Sequence, residues 1–485
     1  DGRKRTRVFL RVRLRLTLRN TRAKRSMEES SIRQFSGDLA RVSRQFPTRF
    51  GELAMQFPDD VHTDYVAAVL QGLQQTEPKD LPDEKKAQWA PASIELIEAV
   101  IARFFGTDDP YVASQFCHLL RDRACEPWSE SALTRLARYA MHHPQPGIDE
   151  LVTWKSGDSD HASDASTYGL ETNAINVVRG QAALAIRSLL YEHPDWLEIF
   201  DEALCSLVSD KHPAVRVAAV EACLPVLNID RDKAVRWFSE ACRDDPRVTA
   251  CRIGVYFFNC CMESHRPVLE PLVRAMMTSQ LSEVSQRGAA EVTARWLFHG
   301  YFEEELELCK TGTVSQRKGV AETVGHFVLN NEYSDRCRPL LDAFSVDPDS
   351  EVRSEIKRAF WDQRIFETPS CKEMISKYID SLAYQDDPTP LFRAMGQYAG
   401  SLLPYADHIL EIANKFAGPL RDASRDMSTS IAGDVRSLPP ILLRLYEQAQ
   451  DAADVGIENK CLDAWDKLFR GRVGLVRELT NSMEE

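Results

Sequence analysis

Seven arginines, Arg179, Arg216, Arg252, Arg287, Arg317, Arg353 and Arg393, recur through the middle of this 485-residue chain at intervals of 37, 36, 35, 30, 36 and 40 residues. A fixed residue returning at such a period marks one supersecondary unit repeated along the chain. Three residues after each arginine stand Ala182, Ala219, Val255, Ala290, Val320, Ile356 and Gly396, and six residues after stand Ala185, Ala222, Phe258, Thr293, Thr323, Ala359 and Ala399. Offsets of three and six lie on one stripe of a helix, and small residues there let a second helix approach closely.

The expected fold is therefore all-α: an α-solenoid of HEAT-like helix pairs, an armadillo-type right-handed superhelix in which the arginine-bearing helices line one face. Each unit carries its own punctuation. Asp210, Asp347 and Asp387 lie six residues before Arg216, Arg353 and Arg393, each in a short turn containing proline. A carboxylate there can accept from free amides at the start of the next helix. It can also pair with the arginine of an adjacent unit, so that the arginines and aspartates form a structural ladder along the stack. A role as ligand contacts is the alternative for the arginines.

Composition bounds the function. The 12 cysteines include no C-x-x-C pair and no histidine partner at zinc spacing, so they read as small buried hydrophobes in a reducing, cytoplasmic compartment. His142 and His143 close a helix before Pro144 and are expected to cap it. Charge is segregated: residues 1–26 hold eleven Lys or Arg and one acid, a net of +10, so the rest carries −23 against −13 for the whole chain. The basic arm reads as a fragment edge, or as sequence upstream of a start at Met27, rather than as a nucleic-acid or membrane tail. No apolar run is long enough for a bilayer, and no signal peptide is expected.

The chain divides into an N-terminal arm (1–31), degenerate helical repeats (32–150), a long polar loop (151–172), HEAT-like repeats (173–420) and C-terminal capping helices (421–485). Residues 32–75 read as two helices, the first with Phe46, Phe50 and Leu53 on one stripe and the second running through Tyr65 to Leu70. The irregular stretch Ser156 to Thr172, rich in Ser, Asp and Gly, is either a tolerated insertion or a functional projection. Trp154, Asp158, Asp160 and Tyr168 are its candidate partner-binding residues, with Trp154 and Tyr168 as anchors. Asp158, Asp160, His161 and Asp164 are read as loop composition, and no metal, cofactor or catalytic residue is expected. Phosphate-loop, G-x-S-x-G, H-E-x-x-H and G-x-G-x-x-G patterns do not occur.

The run Thr172-Asn173-Ala174-Ile175-Asn176-Val177-Val178-Arg179-Gly180-Gln181-Ala182-Ala183 resembles a T-x-A-I-N-S-V-R-G-x-A segment in the helical C-terminal regions of large bacterial STAND or NACHT-type NTPases, many of them antiviral. The stretches from Arg49 to Asp60, Tyr65 to Leu73, Leu442 to Tyr446 and Cys461 to Asp466 are similar to the same regions. The resemblance implies a repeat region that senses a ligand, often a foreign protein, for an ATPase and an effector lying N-terminal to it. This chain carries neither, so no nucleotide-site residue transfers. A protein partner on the concave face, without nucleic acid or membrane, is the expectation. A stand-alone assembly scaffold is the second reading. A HEAT-like DNA glycosylase is disfavoured by the acidic balance, and a bilin lyase would need a pocket that no residue marks.

Overall fold

Helices in this chain start where a side chain or a proline satisfies the free amides of the first turn. Asp109 accepts from the Tyr111 and Val112 amides ahead of Pro110, Ser129 from Ala132, and Asp245 from Arg247 beside Pro246. The computed structural model describes residues 32–78, 81, 86–106, 109–147, 166–368, 371–418 and 437–471, and among these every regular element is helical. They form two compact units, divided between Leu272 and Val273.

The first unit contains α1 (Ile32–Gln45), α2 (Pro47–Ala54), α3 (Thr63–Leu73), α4 (Ile94–Phe104), α5 (Pro110–Asp122), α6 (Glu130–His142), α7 (Thr167–Asn176), α8 (Val178–Glu192), α9 (Leu197–Val208), α10 (Pro213–Ala222), α11 (Val226–Ile229), α12 (Arg231–Cys242), α13 (Pro246–Ala250) and the start of α14 (Arg252–Met277). Two series of neighbours run through it. α1 packs on α3, α3 on α5, α5 on α8 and α8 on α10, while α2 meets α4, α4 meets α6, α6 meets α9 and α9 meets α12. The core lies between the two series; Tyr65 to Leu70 of α3 and Ala182 to Ile186 of α8 are buried without a break.

The second unit contains α15 (Ser282–His299), α16 (Glu303–Thr311), α17 (Val314–Phe327), α18 (Ser334–Ser345), α19 (Ser350–Glu355), α20 (Cys371–Ile379), α21 (Leu382–Asp386), α22 (Thr389–Gln397), α23 (Ala406–Ala417), α24 (Leu438–Asp451) and α25 (Val455–Gly471). Here α15 packs on α17, α17 on α19 and α19 on α21, with α18, α20 and α23 as the companion series and α24 and α25 closing on α23. The approach of α15 to α17 is very close: a Cβ on Gly319 would sit 2.1 Å from the Gln286 carbonyl oxygen. α14 breaks at His265 (φ −125°, ψ 28°), just before Pro267, whose ring cannot follow a regular helical turn.

The arginine register divides in two. Arg179 donates through Nε and Nη2 to the Asp210 carboxylate at 2.8 and 3.2 Å, and Arg317 does the same to Asp347 at 2.9 and 3.2 Å. Arg353 reaches Asp386 at 2.7 Å, and Arg216 stands 4.0 Å from Asp245, which Arg247 holds more closely at 2.6 Å. Three of the four also donate backward to a carbonyl of the preceding turn: Arg179 to His143, Arg317 to Gly312 and Arg353 to Asp347. The same aspartates accept amides of their own turn, Asp210 from His212 and Asp347 from Asp349. Each such arginine thus ties the turn behind it to the turn ahead.

The other three depart from the expected ladder. Arg252, Arg287 and Arg393 are exposed and form no ion pair among the described residues. About thirty residues beyond Arg252 the turn Ser279-Gln280-Leu281-Ser282 holds no acid and the next residue, Glu283, is exposed in the first turn of α15; Thr311-Gly312-Thr313 offers none to Arg287. α22 buries Leu391, Phe392, Ala394 and Met395, which turns Arg393 outward over the Trp361 ring at 5.9 Å. For the same reason Gly396 and Ala399 are exposed, contrary to the expected stripe, whereas Ala182, Ala185, Ala219, Ala222, Val320, Ile356 and Ala359 are fully buried. Val255 and Ala290 are half-buried. Asp387 is not the partner of Arg353; it pairs with Lys357 and accepts the Thr389 amide, one residue past Asp386.

Two boundaries also change. The expected first helix is split by Pro47, and Phe46 at the break is 45% exposed. The expected loop ends early, because residues 167–172 belong to α7, whose start is capped by Ser166 accepting from the Gly169 amide at 2.9 Å.

Candidate functional site

α7 is held across the ends of other helices. It packs on α10 and α13. Glu171 accepts the backbone N–H of Arg252 at 2.7 Å, the first amide of α14, and the Thr167 carbonyl accepts from the Cys251 thiol at 3.8 Å. The chain then turns at Val177 (φ −94°, ψ 144°) directly into α8, and Gln181 of α8 donates to the Ile175 carbonyl. The segment quoted for its family resemblance is this α7–α8 corner, with Arg179 anchoring it to His143 and Asp210.

Between α7, α8, α10 and α14 lies a cleft of about 710 Å³. Val217, Leu224, Ile253 and Val255 give it an apolar lining, and Tyr168, Ile175 and Tyr256 stand at 76%, 51% and 52% exposure. Tyr191, equally exposed at 51%, lies near enough to Arg187 and Glu221 for both to act on its hydroxyl. Large apolar side chains held this openly around one depression, on a rigid helical frame, are what partner-binding surfaces present.

Four charged residues line the cleft: Glu171, Arg187, Glu221 and Arg252. Arg187 is ion-paired with Glu221. Burial pushes the Glu221 carboxyl above its ordinary range; the Arg187 and Arg252 guanidiniums pull it back, and Glu171 adds to the push. Burial also raises Tyr191. The guanidinium of Arg252 has no hydrogen bond or ion pair among the described residues.

Of the residues singled out in the sequence, Tyr168 is at the rim of this cleft, while Trp154, Asp158, Asp160, His161 and Asp164 lie outside the described residues, as does the arm 1–31. Arg187, Glu221 and Tyr256 were not foreseen, because nothing local joins positions so far apart in sequence; Arg252 was singled out as a register arginine, with ligand contact as its alternative role. His143 follows α6 as its cap and accepts the Gln145 amide. Nine of the twelve cysteines are buried. Burial pushes the thiols of Cys242, Cys309 and Cys337 up to about 12, which leaves them protonated and poorly nucleophilic.

Two other arrangements carry less. At the break of α14, Ser264 Oγ lies 2.8 Å from His265 Nδ1, and His265 Nε2 lies 2.9 Å from Asp232. The Asp232 carboxylate is 85% exposed and Ser264 also donates to the Cys261 carbonyl, so this arrangement lacks the buried, orienting acid of a nucleophile triad and reads as capping of a helix break. In the second unit a 550 Å³ hollow between α23 and α25 is lined by Lys415, Lys460 and Lys467, which pair with Asp380, Asp407 and Asn414. No protein-family model and no curated protein matches the chain.

Proposed function

We propose that this chain is a non-enzymatic protein-interaction module, an α-solenoid of HEAT-like pairs whose cleft between α7, α8, α10 and α14 takes a segment of a protein partner. The observation that carries the reading is the group of exposed Tyr168, Ile175 and Tyr256 around one cleft with mixed charge inside it. The successive side-by-side packing of helices within each unit supports the repeat architecture, and the turn-to-turn arginine ties support its stacking. With the resemblance noted above, the most specific form of the proposal is the ligand-sensing repeat region of a bacterial STAND-type antiviral protein acting in the cytoplasm. The acidic balance of residues 27–485 favours a basic or mixed-charge partner over nucleic acid or an anionic membrane.

The test is capture of phage and host proteins by the intact chain, by a chain with residues 156–165 replaced by a short Gly/Ser link, and by a Tyr168→Ala/Tyr256→Ala chain. Loss of capture in the tyrosine variant is the expected result. Capture unchanged in both variants would move the partner surface elsewhere, and ATP turnover by the isolated protein would overturn the non-enzymatic reading.

A further inference from the structure

At the other positions of the register the chain itself shows what such an arginine binds. Arg179 and Arg317 hold Asp210 and Asp347 in the same two-pronged geometry, Nε to one carboxylate oxygen and Nη2 to the other. Arg252 occupies the equivalent place in the sequence register, but it forms no ion pair with the turn that follows, whose first acid is the exposed Glu283. Its backbone is fixed by Glu171, and its exposed side chain lines the cleft beside Tyr256. The cleft's two carboxylates are engaged, Glu171 by the Arg252 amide and Glu221 by Arg187. Among the described residues the Arg252 guanidinium is the one cleft charge with no hydrogen bond or ion pair of its own, acting on Glu221 only at longer range.

We propose that Arg252 is a subsite for a carboxylate, supplied by an Asp or Glu side chain of the partner segment whose neighbouring apolar residues lie against Tyr168 and Tyr256. The partner completes in trans the pair that other units of the register make within the chain. A single carboxylate suits the site better than a phosphate, because Glu171 and Glu221 would repel a dianion placed beside them. A planar guanidinium also matches a carboxylate with two parallel donors, a geometry a lysine cannot reproduce. The inference rests on the partner-binding reading of the cleft and adds the chemistry that the partner must present there.

The experiment is selection of random heptapeptides displayed between fixed flanks on the full chain, repeated with Arg252→Glu and with Arg287→Glu, an exposed register arginine outside the cleft. Binders of the unaltered and Arg287→Glu proteins should be enriched in Asp or Glu beside an apolar residue, and that enrichment should vanish or turn to Lys and Arg with Arg252→Glu. Arg252→Ala should weaken an enriched peptide by at least about tenfold and leave its Asp→Asn or Glu→Gln counterpart unchanged. A parallel library with a free C-terminus reports the other source of the group; enrichment there alone would assign the site to a terminal carboxylate and overturn the side-chain proposal. Acid enrichment that survives Arg252→Glu, or no binders at all, also overturns it. Partner protein captured undiminished by the Arg252→Ala chain but lost with Tyr168→Ala/Tyr256→Ala would sink the carboxylate subsite while leaving the proposed function standing.

Discussion

Arg317 makes two bonds to a carboxylate that is 7% exposed and a third to the Gly312 carbonyl. Removing the guanidinium strands Asp347 in a nearly dry site, so Arg317→Ala should cost about 1–3 kcal/mol, while Arg393→Ala, exposed over Trp361, should stay within about 0.5 kcal/mol. Chemical denaturation of the two variants checks the contrast, and equal effects would remove the ladder. Glu221 gives a second residue-scale expectation. Its folded pKa is raised by burial, so its contribution to stability is present below the ordinary carboxylate range and is lost as pH rises through the raised value. Glu221→Gln has no such term, and its melting temperature relative to the unaltered protein should rise between acid and neutral pH; a difference independent of pH would contradict this. At this scale the sequence was readable where partners sit in one short turn. Asp210 and Asp347 were visible as turn acids six residues before an arginine. The choice of Asp386 over Asp387 was not, because the phase of α21 and α22 is set by which residues pack beneath them.

Helix contacts separate two kinds of glycine. Gly37 lies on an exposed face of α1 with nothing near a new Cβ, and Gly37→Ala should stabilise by about 0.5–1 kcal/mol by removing backbone freedom from the unfolded chain. Gly319→Ala adds the same methyl against the backbone of α15 and should destabilise by about 1–3 kcal/mol through forced separation of α15 and α17. Ala219→Leu, at a fully buried position on α10, belongs with Gly319, and Ala290→Leu, half-buried on α15, should cost less. Opposite signs for the two glycines in thermal melts are the readout; like signs would mean that α15 and α17 do not cross closely. Most of the helices could be read because a 3.6-residue apolar stripe is a local signal. α7 could not: among residues 167–176 only Leu170 and Ala174 are buried aliphatics, and its helix rests on the Ser166 cap, on Asn173 bonding back to Gly169, and on packing against α10 and α13. A segment whose helicity is supplied by distant elements carries the composition of a loop, and the candidate cleft, built by α7 and side chains some eighty residues apart, was hidden with it.

Charge is the property that belongs to the chain as a whole. The excess of acid over base from residue 27 onward sets the sign of the long-range field, and the +10 of residues 1–26 opposes it locally. Polyanions should therefore report on the arm and not on the helical region. Duplex DNA at physiological salt should be retained by the full chain only through residues 1–26, and a chain of residues 27–485 should show no measurable association, because neutralising phosphates requires clustered Lys and Arg to release counterions. The lysines of the second unit that line the hollow between α23 and α25 do not supply such a cluster, since Lys415 and Lys460 face Asp380 and Asp407. The same field predicts the opposite behaviour toward a protein partner bearing positive charge: its association rate with residues 27–485 should fall as salt rises from about 0.05 to 0.3 M, whereas dissociation, which the proposed cleft contacts would govern, should change little. Stopped-flow or surface-based kinetics over that range separates the two constants. DNA binding by residues 27–485, or an association rate indifferent to salt, would show that a basic surface or an uncharged encounter, rather than the acidic field, brings partners to this protein.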